Sequence, residues 1–107
     1  MGEKEIEETN LFVEDLKSHF HPQPGFQAVY RFHIPEAAKP LVVKVNNAEM
    51  ECFYGTIDKV DVEMQISAEV MNEIIQGRMT FQRAFMAGSM KMKGDFKILR
   101  TLDILYA

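Results

Sequence analysis

The chain has one cysteine, Cys52, so no disulfide can close within it. No apolar run approaches the ~18 residues that a membrane-crossing helix needs. The opening residues Met1-Gly2-Glu3-Lys4-Glu5 are acidic. They lack the basic-then-apolar order of a secretion signal. An N-myristoylation motif would need Ser or Thr at position 6, and Ile6 stands there. These absences predict a cytoplasmic protein in a reducing compartment. Repeats, linkers and low-complexity tracts are missing too. A length of 107 residues fits one domain spanning 1–107.

Reactive constellations are scarce as well. His19, His21, His33 and Cys52 fall short of the four convergent ligands that a structural metal site wants. Cys52 sits on an apolar strand pattern, which predicts an inert buried thiol. Glu49 and Glu51, like Asp61 and Glu63, fall on outward strand positions. Paired carboxylates for acid–base work need opposed environments inside a pocket. Gly88 to Gly94 has neither the Lys-Ser/Thr of a P-loop nor a Gly-x-Gly spacing. The expectation is a protein without catalytic residues, metal or cofactor.

What the chain does have is apolar content, at 47%, and an uneven spread of charge. The net charge of −4 argues against a general nucleic-acid binder. Residues 78–100 nevertheless carry Arg78, Arg83, Lys91, Lys93, Lys97 and Arg100 against a single acid, Asp95. Two readings stand for this segment: a solvated mixed surface, or a basic rim that meets an anionic head group or a membrane surface transiently.

Periodicity divides the chain into elements. Ile6, Val13, Leu16 and Phe20 predict a helix over 3–20. His21-Pro22-Gln23-Pro24-Gly25 ends it. Phe26 to Ile34 alternates as a half-buried strand. Leu41, Val43 and Val45 mark a second strand, and Met50, Cys52 and Tyr54 a third. Asn46-Asn47 suits the tight turn between them. After Gly55 to Asp58, residues 59–66 alternate again, with Val60, Val62, Met64 and Ile66 inward. Ser67 is placed as N-cap of a helix to about Gln76, with Val70, Met71, Ile74 and Ile75 as its stripe. Thr80 opens a shorter helix through Ala87 that buries Phe81, Ala84 and Phe85. Met90 and Met92 face inward on a strand over 89–93. Asp95 caps a last helix that carries Ile98, Leu99, Leu102, Leu105 and Tyr106. Strands in a run with helices grouped beside them predict an α+β layer.

Six of the eight methionines lie between residues 64 and 92. Methionine is unbranched and polarizable, so it adapts to irregular or variable partners. The cluster reads equally as ordinary core filling or as the wall of a site for an apolar guest.

One segment carries a family resemblance. Gly77-Arg78, Ala84-Phe85, Gly88, Met90-Lys91-Met92 and Gly94-Asp95 stand at gap-free spacing. They resemble the motif of the sterol carrier protein 2 (SCP-2) family, in which Phe81 replaces a usual Pro and Ser89 a common Lys. The strand Val60 to Ile66 with Ser67 is similar as well. The resemblance implies a five-stranded, mostly antiparallel sheet with helices packed on one face and an apolar tunnel between them. It implies binding and transfer of a lipid or fatty-acyl ligand, without chemistry of the protein's own. The ligand would be a fatty acid, acyl-CoA, sterol or isoprenoid-like molecule. Some members of the family serve as accessory domains, so a filled-tunnel module that binds a protein partner or dimerises is the alternative. The motif's inward positions are Ala84, Phe85, Met90 and Met92. Periodicity adds Phe32, Met64, Met71, Ile74, Ile75, Met86, Leu99 and Leu102 as candidate ligand-binding residues.

Overall fold

The computed structural model describes residues 12–106. The first described helix, α1, is Val13–Ser18. Phe12 precedes it with a left-handed backbone at φ 68°, a conformation rare for a bulky residue. A continuous helix over 3–20 is therefore not what forms: the chain breaks at Phe12, and positions 3–11, including Ile6, lie outside the described residues. Val13 and Leu16 are buried as their spacing predicts, and Phe20 is half-buried against the core.

β1 (Gln27–His33), β2 (Leu41–Asn46) and β3 (Glu49–Tyr54) form the antiparallel meander. Asn47 makes the β2–β3 turn possible with a positive φ of 58°. Its Oδ1 accepts a 2.7 Å bond from the Gly25 amide. Ala28, Tyr30 and Phe32 of β1 point to one face, and Arg31 points to the other, where it donates to the Ile57 carbonyl. The crossover after β3 thus runs over the face opposite the helices.

β4 (Val62–Ile66) enters beside β1 in parallel, and β5 (Met90–Gly94) completes the order β3-β2-β1-β4-β5. β4 starts at Val62 rather than at Lys59. Asp61 is the reason: its amide donates to the Val29 carbonyl, and its carboxylate accepts the Val29 amide at 2.7 Å. A side chain there takes a bond that a strand carbonyl would otherwise take, and Val60 is left half-buried outside the ladder. Gly94 lies opposite Val62 with φ 132°. A Cβ there would collide with the Asp61 carbonyl oxygen, so the end of β5 requires glycine.

α2 (Ala68–Ile75), α3 (Phe81–Met86) and α4 (Phe96–Leu105) pack on the inner face of this sheet. Ser67, Thr80 and Asp95 cap them by accepting the Val70, Arg83 and Lys97 amides.

Candidate functional site

The inner face of the sheet is laid out by register. Tyr54, Leu41, Phe32, Met64 and Met92 stand opposite one another in turn, one row across all five strands. Met90 lies one pair along, against Ile66. Above this floor come Met71 and Ile74 of α2, Phe81 and Ala84 of α3, and Leu99 and Leu102 of α4, all buried. The Phe32 and Phe81 ring centroids are 5.7 Å apart at 49°, so floor and roof touch directly.

Most of the candidate residues therefore meet in one layer. Phe32, Met64, Met71, Ala84, Leu99 and Leu102 have no accessible surface, while Ile74 and Met90 keep 5% and 3%. Ile75, Phe85 and Met92 pack at the margin, half-buried. Met86 stands apart. It is 73% exposed, because the inward stripe of α3 is Phe81, Ala84 and Phe85, and Met86 falls on the opposite side of the helix.

The layer is closed. A small void of about 10 Å³ lies at its edge, where α1, α2 and the end of α4 meet, lined by Leu16, His19, Ile74, Ile75, Phe81 and Tyr106. That is room for about one water molecule. Sites for small molecules run to about 300–1,000 Å³. Among the described residues the side chains that face one another across the layer are packed and almost wholly buried, and no open tunnel is seen between them.

Two tyrosines belong to this layer and were not among the candidates. The Tyr30 hydroxyl donates to the Ile98 carbonyl at 2.8 Å, which fastens α4 to β1. The Tyr106 hydroxyl is buried with no hydrogen-bond partner among the described residues. Burial raises both phenols above their ordinary range. The available signal was a Tyr closing a leucine stripe, since a buried phenol must bring its hydroxyl somewhere.

The sequence profile of the SCP-2 sterol transfer family matches residues 23–105. The chain belongs to that family. The family is one of lipid binding and transfer, and the profile covers the floor, all three roof helices and every candidate residue. Among solved structures, palmitated SCP2L2 from Aedes aegypti is similar at a TM-score of 0.69 and 18% identity, over 91% of this chain and 92% of that one. Sterol carrier protein domain 2 of Helicoverpa armigera gives 0.60 and 22%, over 97% and 83%. A double mutant of the sec-alkyl sulfatase PisA1 gives 0.77 and 17% over 91% of this chain. This SCP-2 chain spans only 16% of that sulfatase's length. At these identities the likeness establishes the fold. No curated protein matches the chain in sequence.

The six basic residues of this SCP-2 chain do not form one rim. Arg78 is engaged by Glu73 through three contacts of 2.7–3.1 Å. Lys91 and Lys93 alternate with Met90 and Met92, and so lie on the outer face of the sheet. Arg83, Lys97 and Arg100 lie exposed on α3 and α4. The outer face also carries the ion-paired group Arg31–Glu63–His33, in which Glu63 Oε2 is 2.8 Å from Arg31 Nη2 and 2.6 Å from His33 Nε2. The hydrogen bonds from His33 first, then Arg31, hold the Glu63 carboxyl below its ordinary range. Cys52 faces the core, and burial pushes its thiol up to about 12, which leaves it unreactive. Among the described residues no group of three or more His, Cys, Asp or Glu side chains is placed to hold a metal ion.

Proposed function

We propose that the chain binds a lipid or similar apolar ligand (fatty acid, acyl-CoA, sterol or isoprenoid-like) between the sheet and its helices, and transfers it. The observation that carries this reading is the Phe32–Met64–Met92 row facing Met71 across the layer. Methionines on both sides let the walls re-form around a guest without rotameric strain. Because the inner side chains are packed against one another, loading would require the roof to lift. α2 is the element suited to move. Among the described residues no backbone hydrogen bond ties it to another element. It rests on Met71 and Ile74, with Glu36 accepting the Ala68 amide at its start. The unpartnered Tyr106 hydroxyl beside the void supports the same reading, since it offers a guest one polar contact. The solvent-facing cations would meet the ligand's anionic end or the membrane that supplies it.

The closed interior favours a second reading: an accessory module of the same fold that binds a protein partner or dimerises. Organic extraction of freshly purified protein followed by mass spectrometry separates the two. The carrier reading expects a lipid at near one-to-one stoichiometry, or uptake of a fluorescent fatty acid that unlabelled lipid displaces. Protein that yields no lipid and takes up no displaceable probe refutes it and leaves the accessory reading.

A further inference from the structure

Among the described residues, three large apolar side chains stand in solvent: Met86 at 73% exposure, Ile104 at 52% and Phe96 at 36%. All three belong to α3 and α4. They stand at the two ends of the paired helices, Met86 and Phe96 at one end and Ile104 at the other. The Phe96 ring lies 5.8 Å from Phe85, the residue before Met86. The Asp103 carboxylate, beside Ile104, accepts the Phe81 and Gln82 amides at 2.6 and 2.9 Å, which sets the start of α3 against α4.

Cations are interleaved with these side chains. Lys97, Arg100 and Ile104 share one stripe of α4 at i, i+3, i+7 spacing. With Gln82 they wall an open groove between the two helices. Arg83 adds a third cation from the exposed side of α3. The acids of this segment are engaged: Asp95 caps α4, and Asp103 holds the two amides of α3. Three cations, Arg83, Lys97 and Arg100, against the two carboxylates Asp95 and Asp103 leave this face at a net +1 on a chain whose net charge is −4.

We infer that the α3–α4 face docks on a bilayer containing anionic phospholipid, with Met86, Phe96 and Ile104 entering the interface and Arg83, Lys97 and Arg100 meeting the head groups. Apolar side chains flanked by Lys and Arg along a solvent-facing helix surface are the pattern of interfacial helices. The core of a protein–protein interface is depleted of lysine, whereas here Lys97 stands between Phe96 and Ile104. This docking surface deepens the carrier reading and takes its purpose from it, since the buried sides of the same two helices roof the apolar layer.

The test is cosedimentation of the full chain with vesicles of phosphatidylcholine alone and of phosphatidylcholine with about 30% phosphatidylserine, because only the second presents a negative surface. Binding is expected on the anionic vesicles and to weaken as salt rises. The pair Lys97→Glu and Arg100→Glu is expected to weaken it roughly tenfold or more. Met86→Ser, at a position already in solvent, is expected to weaken it without changing the circular dichroism. The pair Lys91→Glu and Lys93→Glu, on the outer sheet face, is expected to leave it unchanged. Equal binding to neutral vesicles, no binding at all, or equal loss from the two charge-reversed pairs overturns the inference. So does capture of an acidic protein through this face without vesicle binding. Fatty-acid uptake measured without vesicles keeps the two claims apart: a chain that takes up lipid but ignores vesicles sinks the docking alone, and one that docks but takes up no lipid sinks the carrier reading.

Discussion

α2 and α4 roof the same apolar layer, yet they are held there by different forces. α4 is pinned at several points: Tyr30 donates to Ile98, the His21 amide donates to the Leu105 carbonyl at 2.7 Å, and Asp103 reaches the start of α3. α2 has Met71 and Ile74 in the core and one bond from its first amide to Glu36. Directional bonds fix a geometry, whereas burial of flexible side chains tolerates several. One side of the roof is thus held by directional bonds and the other mainly by packing. Under the proposed carrier reading, this contrast makes α2 the side by which a guest would enter.

Three substitutions break or sharpen this contrast. Met71→Ala has the largest expected effect, a loss of about 2–5 kcal/mol in chemical denaturation, because buried apolar contact is nearly all that holds α2. It is also expected to raise fatty-acid uptake, since the cavity it leaves lies in the roof. A loss of stability with slower uptake would point to α2 as a fixed wall. Asp103→Ala comes next, at about 1–3 kcal/mol, the cost of leaving amides without an acceptor. Here uptake is expected to stay unchanged, because α3 and α4 do not open. Faster uptake from this variant than from Met71→Ala would reverse the assignment.

Glu63→Gln, on the outer face, is the smallest. Its partly exposed ion pairs are worth about 0.2–1 kcal/mol. The pH dependence carries a definite sign. A carboxyl held low in the fold contributes stability above its unfolded pKa, about 4.3. That contribution is lost as pH falls through the lower folded value. The stability difference between wild type and variant is therefore expected at neutral pH and to vanish in strong acid, with no change in uptake at any pH. A difference that grew toward low pH would contradict the role given to His33 and Arg31.

Much of this was legible in the residues themselves. Alternation identified the inner faces of β1, β2 and β3, although Val42 of β2 is buried as well, and Ser67, Thr80 and Asp95 stand at the caps their side chains predict. The spaced glycines from Gly77 to Gly94 pointed to the family, since a motif with structural context is specific. The limits are physical. Alternation continues back to Val60, but the hydrogen bonds of Asp61 to Val29 decide where β4 begins, and such a long-range contact leaves no local pattern. Met86 sits in a methionine-rich segment, and composition cannot say which side of a helix a residue takes. Whether facing apolar walls leave a space between them depends on the distance between layers, which no spacing along the chain encodes. The tyrosines were missed for a related reason: a stripe shows that Tyr30 and Tyr106 go in, not what their hydroxyls meet.

The most direct measurement is NMR of the methionine methyl groups, with carbon-13 in each ε-methyl, during titration with palmitate in the absence of vesicles. Met64, Met71, Met90 and Met92 line the layer, and Met86 is the solvent-facing reference. The account predicts saturable shifts at the four inner methyls, largest at Met71, with Met86 unmoved. Shifts confined to Met86, or four inner methyls that never move, would contradict it.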